Sequence, residues 1–431
     1  MTKIVIVGGG AGGMEIVTKL GRKLGRKGKA EITLIDRCDH HIWKPLLHEL
    51  ATGSLDEGLN ALDYRMHASQ NGYRFEQGML AGLNQVDRQV VLAPMLDEFG
   101  AEILPERKIG YDYLVIGVGA VTNDFGIPGV QEHCDFLDLT EQAMALRKKI
   151  RHRFLRYAKE HNVEQEHFEI SIVGAGATGV EMAAEMHHAA DTLRGYGYDI
   201  REDLLQVNLI EATDRVLPRI DKPRICNAVA KELAKLGVRV KTDTRISEVT
   251  PMGMHTADGQ FIPSDMVLWS AGVKGHPFLA TLGLEVNQAD QIMVHPSCQS
   301  LSNDRIFAFG DCAACPQEDG SWVPPRGQTA RQMALLVGDN IEKLMADPQA
   351  TLDGYVYKDL GSFVNMSKFH TVGNLMSFVG GGMTVEGKMA RLVYTSLYRR
   401  HLIALHGVSK GLLLMLLNGL QRIMRPELKL H

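Results

Sequence analysis

Cysteine is scarce in this chain, and so is an excess of charge of either sign. Six cysteines in 431 residues are too few for a disulfide framework and suit a reducing compartment. A formal net charge of −4 argues against the strongly basic surface of a nucleic-acid-binding protein. The longest C-terminal apolar stretch free of acidic and basic residues, 411–421, is too short for a bilayer core that needs about 20 residues. We therefore expect no disulfide scaffold, no nucleic-acid partner and no transmembrane span.

The remaining composition is that of a globular protein with many turns. Apolar residues make up 45% and charged residues 23%, which excludes disorder. At roughly 150 residues per domain, the length predicts two to three domains. Glycine contributes 44 residues, above its usual share of about 7%, and this excess predicts tight turns or close backbone contacts. No basic-then-apolar signal segment precedes the first strand pattern, so we expect the protein to remain on the cytosolic side of a membrane.

A glycine-rich turn follows a β-branched run at the start of the chain. The run is 3–7, an apolar helical pattern begins at Met14, and a second strand pattern ends at Asp36. Three glycines between strand and helix fit G-x-G-x-x-G: Gly8, Gly10 and Gly13. Backbone amides in such a turn approach a pyrophosphate at the positive end of the helix. Asp36, 23 residues after the third glycine, has the spacing of a carboxylate that accepts from a ribose diol.

The same unit occurs a second time. A strand pattern over 169–173 precedes a helix pattern from Val180, and the next strand pattern ends at Glu211. The glycines again fit the motif: Gly174, Gly176 and Gly179. One such motif is weak evidence, because any tight strand–helix turn can supply it. Two of them, each with strand, helix and terminal acid in order, predict two dinucleotide-binding folds.

Two dinucleotide sites in one chain indicate electron transfer between a flavin and a nicotinamide. A third strand pattern delivers Asp311, which could accept from ribityl hydroxyls, although an isolated aspartate in this position is more often a helix N-cap. Glu211 followed by Ala212 favours NADH, since a carboxylate binds a 2′-hydroxyl and repels a 2′-phosphate. Arg215 lies nearby and could soften that preference. We find no pattern typical of a protein nucleophile.

Basic residues are concentrated at the C-terminal end. From Met389 onward the chain has seven Lys and Arg and one acid, whereas the rest has 40 basic and 50 acidic residues. Apolar residues recur there at helical spacing, within two sets: Met389, Leu392, Val393 and Leu397, then 412–417, Leu420, Ile423 and Met424. Such a stripe usually means a core or dimer helix, but the basic excess favours amphipathic helices lying in an anionic lipid surface. The basic stretch 22–29, in contrast, is interpreted as a solvated turn.

Five stretches carry a resemblance to a known family: 43–53, 113–119, 269–273, 309–313 and 327–332. Together they resemble the type II NADH dehydrogenases, single-subunit NADH:quinone oxidoreductases within the flavoproteins that have two dinucleotide-binding domains. The similarity runs essentially end to end and is greatest to proteobacterial members. The family pattern Ala-Gln-x-Ala-x-Gln is altered at its first position by Gly327, while both glutamines are kept.

The resemblance implies non-covalent FAD in the first fold and NADH, as substrate, in the second. It assigns the cofactor-binding residues as follows: Gly8, Gly10, Gly13, Asp36, Gly119 and Asp311 for FAD, and Gly174, Gly176, Gly179 and Glu211 for NADH. Glu181 matches the family's acid beside the nicotinamide, and Ala271 and Gly272 would line the passage between nicotinamide and flavin. Gln328 and Gln332 would flank the quinone channel.

We accordingly predict an α/β fold with two Rossmann-like domains and a C-terminal membrane-docking segment containing amphipathic helices. The predicted domains are 1–120 with 275–340 for FAD, 121–274 for NADH, and 341–431 for membrane association. The predicted activity is non-proton-pumping transfer of electrons from NADH to a membrane quinone, either ubiquinone or menaquinone. The predicted state is a peripheral homodimer on the cytoplasmic side of the inner membrane, bound to anionic lipid.

Two other functions stay open at this point. Cys312 and Cys315 have the C-x-x-C spacing of a redox dithiol or half a zinc site, but no second pair completes a metal site, and we predict none. Disulfide reductases need a close cysteine pair soon after the first nucleotide turn, where this chain has only Cys38. Sulfide:quinone oxidoreductases need separated cysteines at the flavin, and Cys134 keeps this alternative open. An NADH-responsive flavoprotein with a non-catalytic binding role is the other alternative.

Overall fold

The computed structural model describes residues 1–159, 167–198, 201, 204–220, 222–360, 362–366, 370–375, 383–386 and 388–424. Its α-helices, in chain order, are α1 Ala11–Lys23, α2 Leu47–Thr52, α3 Glu57–Asn60, α4 Tyr64–Asn71, α5 Val130–His133, α6 Thr140–Lys159, α7 Ala177–Gly195, α8 Pro223–Lys235, α9 Gly327–Ala346, α10 Lys388–His406 and α11 Val408–Met424. Short 3₁₀-helices lie at Gly25–Lys27, Lys44–Leu46, Pro277–Leu282 and Gly310–Cys312.

The N-terminal sheet has six strands. In spatial order they are Gln299–Ser300, Asn303–Ala308, Tyr113–Ile116, Thr2–Val7, Ala30–Asp36 and Arg74–Gln77. All neighbours except the first pair run parallel, and Val5 lies opposite both Thr33 and Leu114. The β-branched run of the first strand is buried at Ile4–Val7, as expected for a parallel strand covered on both faces.

The central sheet repeats this arrangement with five parallel strands. Their spatial order is Cys134–Asp135, Met266–Trp269, Phe168–Val173, Leu205–Ile210 and Arg239–Lys241. Helices α1 and α7 each follow the first strand of their unit directly, and a parallel neighbour follows each helix. The predicted α/β fold with two Rossmann-like units is thus confirmed.

Smaller sheets surround these two. Three antiparallel sheets have three strands each: Leu80–Asn84, Gln89–Leu92 and Arg107–Gly110; Ile246–Thr250, Gly253–Thr256 and Phe261–Pro263; and Ser362–Met366, His370–Leu375 and Met383–Glu386. The two-stranded pairs are His40–His41 with Leu62–Asp63, Met95–Leu96 with Glu102–Leu104, Val121–Thr122 with Val273–Lys274, and Ile292–Met293 with Ala313–Ala314. The pair at 121–122 and 273–274 joins the two nucleotide folds, because each of its strands lies where the chain passes between them.

The predicted domain limits stay predictions, but the distribution of elements bears on them. Strands of the N-terminal sheet come from 1–120 and from 275–340, and those of the central sheet from 121–274. Helix α9 packs on α1 and continues to Ala346. The predicted limit at 340 therefore lies within α9.

The C-terminal part contacts both nucleotide folds. The strand Ser362–Met366 packs on α7, and α10 packs on α1. His401 and Leu405 of α10 are buried, with exposed fractions of 5% and 1%. Gly407, with φ +81°, turns the chain between α10 and α11. Helix α10 is therefore partly a core helix. A core position is what an apolar stripe at helical spacing usually indicates, in contrast to the lipid-surface position favoured by the basic excess.

Helix α11 differs in leaving apolar side chains exposed. Leu412, Leu413 and Leu416 are each more than half exposed, and Leu417 is 43% exposed. Other predicted apolar positions of the tail lie outside the described side chains: Met389, Leu392, Val393, Leu397, Leu420, Ile423 and Met424. Across the described ranges, the length and apolar content of every helix fall short of what spanning a bilayer requires.

Candidate functional site

The first glycine turn is set by close backbone packing. Gly8 has φ +104°, and a Cβ there would lie 2.4 Å from the Gly117 carbonyl oxygen. A Cβ on Gly13 would lie 1.8 Å from the Gly8 carbonyl oxygen. Among the described residues, Gly10, which precedes α1, would instead place a Cβ in open space, and no side chain caps the helix amides. The turn therefore leaves unblocked amides at a positive helix end, which fits the pyrophosphate of a dinucleotide.

Asp36 ends the second strand and binds the turn itself. The Gly9 amide donates to Asp36 Oδ2 at 2.6 Å, and the Cys38 amide donates to Oδ1 at 2.9 Å. Burial raises the pKa of this carboxyl, against the opposing effect of the two amides. The structure thus gives Asp36 a role that the spacing did not reveal, which is to hold the turn backbone. A carboxylate oxygen accepts more than one hydrogen bond, so the ribose role stays a prediction.

The second glycine turn has the same construction. Gly174 has φ +102°, and a Cβ there would lie 2.8 Å from Ala271 Cα. A Cβ on Gly179 would lie 2.0 Å from the Gly174 carbonyl oxygen, whereas one on Gly176 would meet open space in front of α7. The predicted residue Ala271 therefore lies directly against the second turn.

Glu211 repeats the role of Asp36. The Ala175 amide donates to Glu211 Oε2 at 2.9 Å, and both the amide and the hydroxyl of Thr213 donate to Oε1 at 3.0 Å. The acid that ends the second strand of each fold therefore holds the amide that follows the first glycine. This correspondence could have been found by aligning the two halves of the sequence on their glycines.

Asp311 lies at the end of the strand Asn303–Ala308, in the 3₁₀-helix Gly310–Cys312. Its Oδ1 is buried without a hydrogen-bond partner among the described residues. Burial raises the pKa of the carboxyl, while the nearby Lys44 lowers it. A buried acceptor without a protein donor fits a ligand hydroxyl, so the residues present fit the ribityl chain of FAD.

Gly119 and Gly272 flank the two-stranded link between the folds. Gly119 has φ +76°, with open space where a Cβ would lie, and Lys44 Nζ donates to the next carbonyl, Ala120, at 3.1 Å. Gly272 has φ +65°, and a Cβ there would lie 2.7 Å from the Phe125 ring. Both glycines therefore permit backbone turns at the passage from one fold to the other.

Glu181 lies on the second nucleotide helix and is only 7% exposed. Its Oε1 accepts from the Asn365 amide at 3.0 Å, and its Oε2 lies 3.7 Å from His48 Nδ1. Burial raises the pKa of Glu181 to about 8 and lowers the pKa of His48 to about 4. At neutral pH both groups are therefore uncharged, and this contact is not an ion pair.

Two further polar groups adjoin Glu181. Glu185, one helical turn later, is 2% exposed and accepts from the Ser54 hydroxyl at 3.0 Å. Sequence reasoning missed His48, Ser54 and Glu185 as members of this cluster. The i, i+4 spacing of the two glutamates was the available signal, because it places both on the same face of α7.

Gln328 and Gln332 both bind the segment 355–360. The Leu360 amide donates to Gln328 Oε1 at 3.0 Å, and Gln328 Nε2 donates to Asp359 at 3.2 Å. The Tyr355 hydroxyl donates to Gln332 Oε1 at 3.1 Å. The structure thus places the two glutamines on one face of α9, where they hold this segment; their predicted place beside a quinone channel stays a prediction.

A buried polar chain joins the first glycine turn to α10. Glu15 accepts from Arg331 Nε at 2.7 Å and lies 3.2 Å from His401 Nδ1. His401 Nε2 lies 3.1 Å from His41 Nε2, and His41 Nδ1 donates to the Gly9 carbonyl at 2.9 Å. No sequence signal linked these residues, since they come from four separate parts of the chain.

The cysteines do not form the arrangement that their spacing suggests. Cys312 Sγ donates to the Phe309 carbonyl at 3.2 Å, whereas the thiol neighbour of Cys315 is Cys298. Burial raises the pKa of Cys38 to about 11 and that of Cys134 to about 12, so neither is a ready thiolate nucleophile at neutral pH. Within the ranges that the structure describes, no three His, Cys, Asp or Glu side chains group as metal ligands.

Comparison with known proteins agrees with this geometry. The model of the family "Pyridine nucleotide-disulphide oxidoreductase" matches residues 2–334. The type II NADH:quinone oxidoreductase of Haemophilus influenzae is 42% identical over 100% of both chains. The enzyme of the same name from Mycobacterium tuberculosis is 28% identical over 93% of this chain and 84% of that protein.

A solved structure shows the same fold along the whole chain. The NDH2 of Plasmodium falciparum in complex with NADH superposes with a TM-score of 0.83, covering 99% of this chain and 100% of that one, at 19% identity. Full-length identity of 42% to a curated relative is sufficient to place the sequence within its family. The chain belongs to the pyridine nucleotide-disulphide oxidoreductase family and, within it, to the type II NADH:quinone oxidoreductases.

Proposed function

We propose that this protein oxidises NADH and reduces a membrane quinone, using non-covalently bound FAD. The observation that carries the proposal is the duplicated turn, in which Gly10 and Gly176 each leave open space at an uncapped helix N-terminus. The buried oxygen of Asp311, which has no hydrogen-bond partner among the described residues, supports assigning FAD to the first of these two sites. The full-length relationship to type II NADH:quinone oxidoreductases supports the same activity.

The FAD-binding residues in this proposal lie around the first turn. The helix amides at Gly10 face the pyrophosphate, Asp36 holds the turn and accepts from the ribose, and Asp311 accepts from the ribityl chain. FAD held by these residues would supply the chemistry of accepting a hydride from a nicotinamide and donating two electrons to a quinone. The protein's own contribution is to orient the groups and to exclude water around them.

NADH is assigned to the second turn. Gly176 leaves room for the pyrophosphate. The Glu211 carboxylate, which accepts from the Ala175 amide, also accepts from the ribose hydroxyls. Ala271 and Gly272 line the approach of the nicotinamide to the flavin. Because a carboxylate repels a 2′-phosphate, we expect NADH to be oxidised faster than NADPH, and equal turnover of both would contradict this assignment.

Glu181 is assigned a role in holding a proton. A carboxyl with a pKa of about 8 carries its proton at neutral pH, and conversion of a quinone to a quinol requires two protons. Its position beside His48 and the backbone of Asn365 fixes the direction in which the carboxyl points. Gln328 and Gln332 line the quinone side by ordering the segment 355–360.

The membrane part of the proposal concerns the C-terminal helices. The exposed leucines of α11 and the basic excess of the tail favour a peripheral position on an anionic lipid surface, on the cytoplasmic side of the inner membrane. This position would bring the flavin close to a lipid-soluble quinone, ubiquinone or menaquinone. A homodimer is also proposed, and analytical ultracentrifugation of the FAD-loaded protein tests it.

Anaerobic stopped-flow absorbance of the flavoprotein tests the reaction. We expect NADH to bleach the flavin absorbance and a short-chain quinone to restore it rapidly. Bleaching without recovery would contradict the quinone as acceptor and favour an NADH-responsive binding role. Bleaching by sulfide but not by NADH would favour sulfide:quinone oxidoreductase activity instead.

A further inference from the structure

A cavity of about 270 Å³ lies where the C-terminal end of α1 meets α4 and the turn between α10 and α11. The polar side chains of its wall come from three distant parts of the chain: Arg22, Arg26, Gln70, Asn71, His406 and Lys410. The stretch 22–29 is therefore more than a solvated turn, because folding brings two of its arginines to the base of the C-terminal helices.

The positive charge in this cavity is not neutralised by acids of its own wall. The wall contains Arg22, Arg26 and Lys410, and none of its described residues is a carboxylate. Neutral groups hold the cations instead: Arg22 Nε donates to Asn71 Oδ1 at 2.7 Å, and Lys410 Nζ donates to Gln70 Oε1 at 3.3 Å.

Arg22 is a fixed part of this wall rather than a mobile surface cation. Its Nη1 donates to the Ala404 carbonyl at 3.2 Å, at the C-terminal end of α10. Arg26 lines the same cavity, and burial and the like charge of Arg26 both lower the pKa of Arg22. Together with the exposed cations of Arg26 and Lys410, the held guanidinium of Arg22 makes the cavity complementary to a phosphate group.

An exposed apolar face begins directly beside the cavity. Gly411 is buried against Ile403, where an added Cβ would lie 3.1 Å away, and this contact fixes one side of α11 on α10. The exposed leucines follow at spacings that place them together on α11: Leu412, Leu413, Leu416 and Leu417. A ligand that satisfies both features has an anionic head and an apolar tail.

We propose that this cavity binds the phosphodiester headgroup of one anionic phospholipid, whose acyl chains lie along the exposed leucines of α11. The proposal rests on the membrane position proposed above and adds to it a defined headgroup site. This binding differs from a general attraction of the basic tail to a charged surface. It depends on which cationic residues are present, whereas the general attraction depends only on the total positive charge.

Co-sedimentation of the FAD-loaded protein with vesicles tests this site. The test variant is Arg26→Gln with Lys410→Gln, two exposed cations of the cavity wall. The matched control is Lys27→Gln with Lys29→Gln, which removes the same charge from exposed residues of the neighbouring turn. On phosphatidylcholine vesicles containing phosphatidylglycerol, we expect the test variant to bind at least about tenfold more weakly than the control.

Equal loss of binding in the two double variants would overturn the proposal, because diffuse charge would then account for the attraction. Inorganic phosphate and dispersed short-chain phosphatidylglycerol are compared by their effect on the thermal midpoint of the wild-type protein. Stabilisation by the lipid alone supports the proposal, whereas equal stabilisation by phosphate would overturn the lipid assignment. The FAD content and the thermal unfolding midpoint are measured for both double variants. If these values match, misfolding is excluded as the cause of a difference in vesicle binding.

The outcome is separable from that of the proposed function. If the wild type binds neither neutral nor anionic vesicles, both the membrane position and the headgroup site are refuted. Reduction of a short-chain quinone by NADH in the absence of vesicles tests the enzymatic activity independently. An active enzyme whose vesicle binding is unaffected by the cavity substitutions would refute the headgroup site alone.

Discussion

Two buried glutamates occupy equivalent positions in the two nucleotide folds, yet their surroundings are opposite. Glu15 and Glu181 each lie two residues after the third glycine of their turn. Glu15 is ion-paired with Arg331 at 2.7 Å and contacts His401. Glu181 contacts the neutral His48 and has its pKa raised to about 8 by burial. The same position therefore serves as a charged anchor in one fold and as a neutral, proton-holding group in the other.

The glycine turns show a related contrast. The Gly9 carbonyl accepts from the Tyr64 hydroxyl at 2.8 Å and from His41 at 2.9 Å. The equivalent carbonyl, Ala175, accepts from the Leu217 backbone amide at 2.8 Å. Two side chains thus hold the Gly9 carbonyl of the first turn, whereas a backbone amide holds the equivalent Ala175 carbonyl of the second. This difference fits a resident cofactor at the first turn and an exchanging substrate at the second.

The largest expected effect comes from blocking the open space at each turn. Gly10→Val and Gly176→Val both place a branched side chain where a Cβ meets no atom of the described residues within 4 Å, so both variants should fold. We expect Gly10→Val to be purified without flavin and without activity. Gly176→Val should keep its flavin and show a KM for NADH raised by about tenfold or more. Absorbance spectra and NADH titrations measure both, and the reverse pattern would exchange the two assignments.

The second effect is the pH dependence of Glu181→Gln. The folded-state pKa is about 8 against an ordinary 4.5, so between these values the folded protein holds a proton that the unfolded chain lacks. The free energy of unfolding of the wild type therefore falls as the pH rises from about 4.5 to about 8.

Glutamine does not titrate, so the wild type should lose about 1.4 kcal/mol per pH unit relative to Glu181→Gln between about pH 5.5 and about pH 7.5. Urea unfolding at several pH values measures the difference, with the exposed Glu98→Gln as the control. Parallel stability curves for wild type and Glu181→Gln would show that Glu181 is ionised in the folded protein.

The third effect is the stability lost in Glu15→Gln. This change leaves the guanidinium of Arg331 and the buried His401 without their shared carboxylate. Because the Arg331 side chain is 27% exposed, water compensates in part, and we expect a loss of about 2 kcal/mol in the free energy of unfolding. Glu181→Gln near pH 7, which replaces a neutral carboxyl by a neutral amide, serves as the matched comparison. Equal losses in the two variants would remove the contrast between the two positions.

The smallest effect is expected from Tyr64→Phe, which removes one hydrogen bond to the first turn. We expect a loss of about 1 kcal/mol in the free energy of unfolding and weaker retention of FAD, with an unchanged KM for NADH. Tyr73→Phe is the control, since its hydroxyl makes an equally short buried hydrogen bond to His67, away from the turn. If the two variants lose FAD equally during dialysis, the hydrogen bond to Gly9 has no special role in cofactor retention.

The sequence was most informative where function depends on local geometry. The glycines at 8, 13, 174 and 179 were identified from their spacing, and the structure shows that a Cβ at any of them would overlap backbone atoms. It was least informative about partners far apart in the chain. The carboxylates of Asp36 and Glu211 were expected to face a ribose, but their contacts with the turn amides became visible only in the fold.

The C-terminal helices illustrate the same limit. Their leucines and basic residues predicted amphipathic helices, but the pattern could not distinguish α10, which buries His401 and Leu405, from α11, which exposes its leucines. The prediction that a C-x-x-C spacing could form a dithiol also failed to identify the neighbour of Cys315, which is Cys298. Pairings of this kind depend on which strands and loops meet, and spacing along the chain does not record them.

The sequence by itself determined the two nucleotide folds, their order and their acids, because strand, glycine turn and helix are specified by residues within a short span. Only the tertiary structure decided which of the two equivalent glutamates is ion-paired and which turn carbonyl accepts hydrogen bonds from side chains. It also decided that Arg22, Arg26 and Lys410 line the same cavity. The physical reason is that charge state and desolvation depend on the whole surroundings of a group, and those surroundings come from distant parts of the chain.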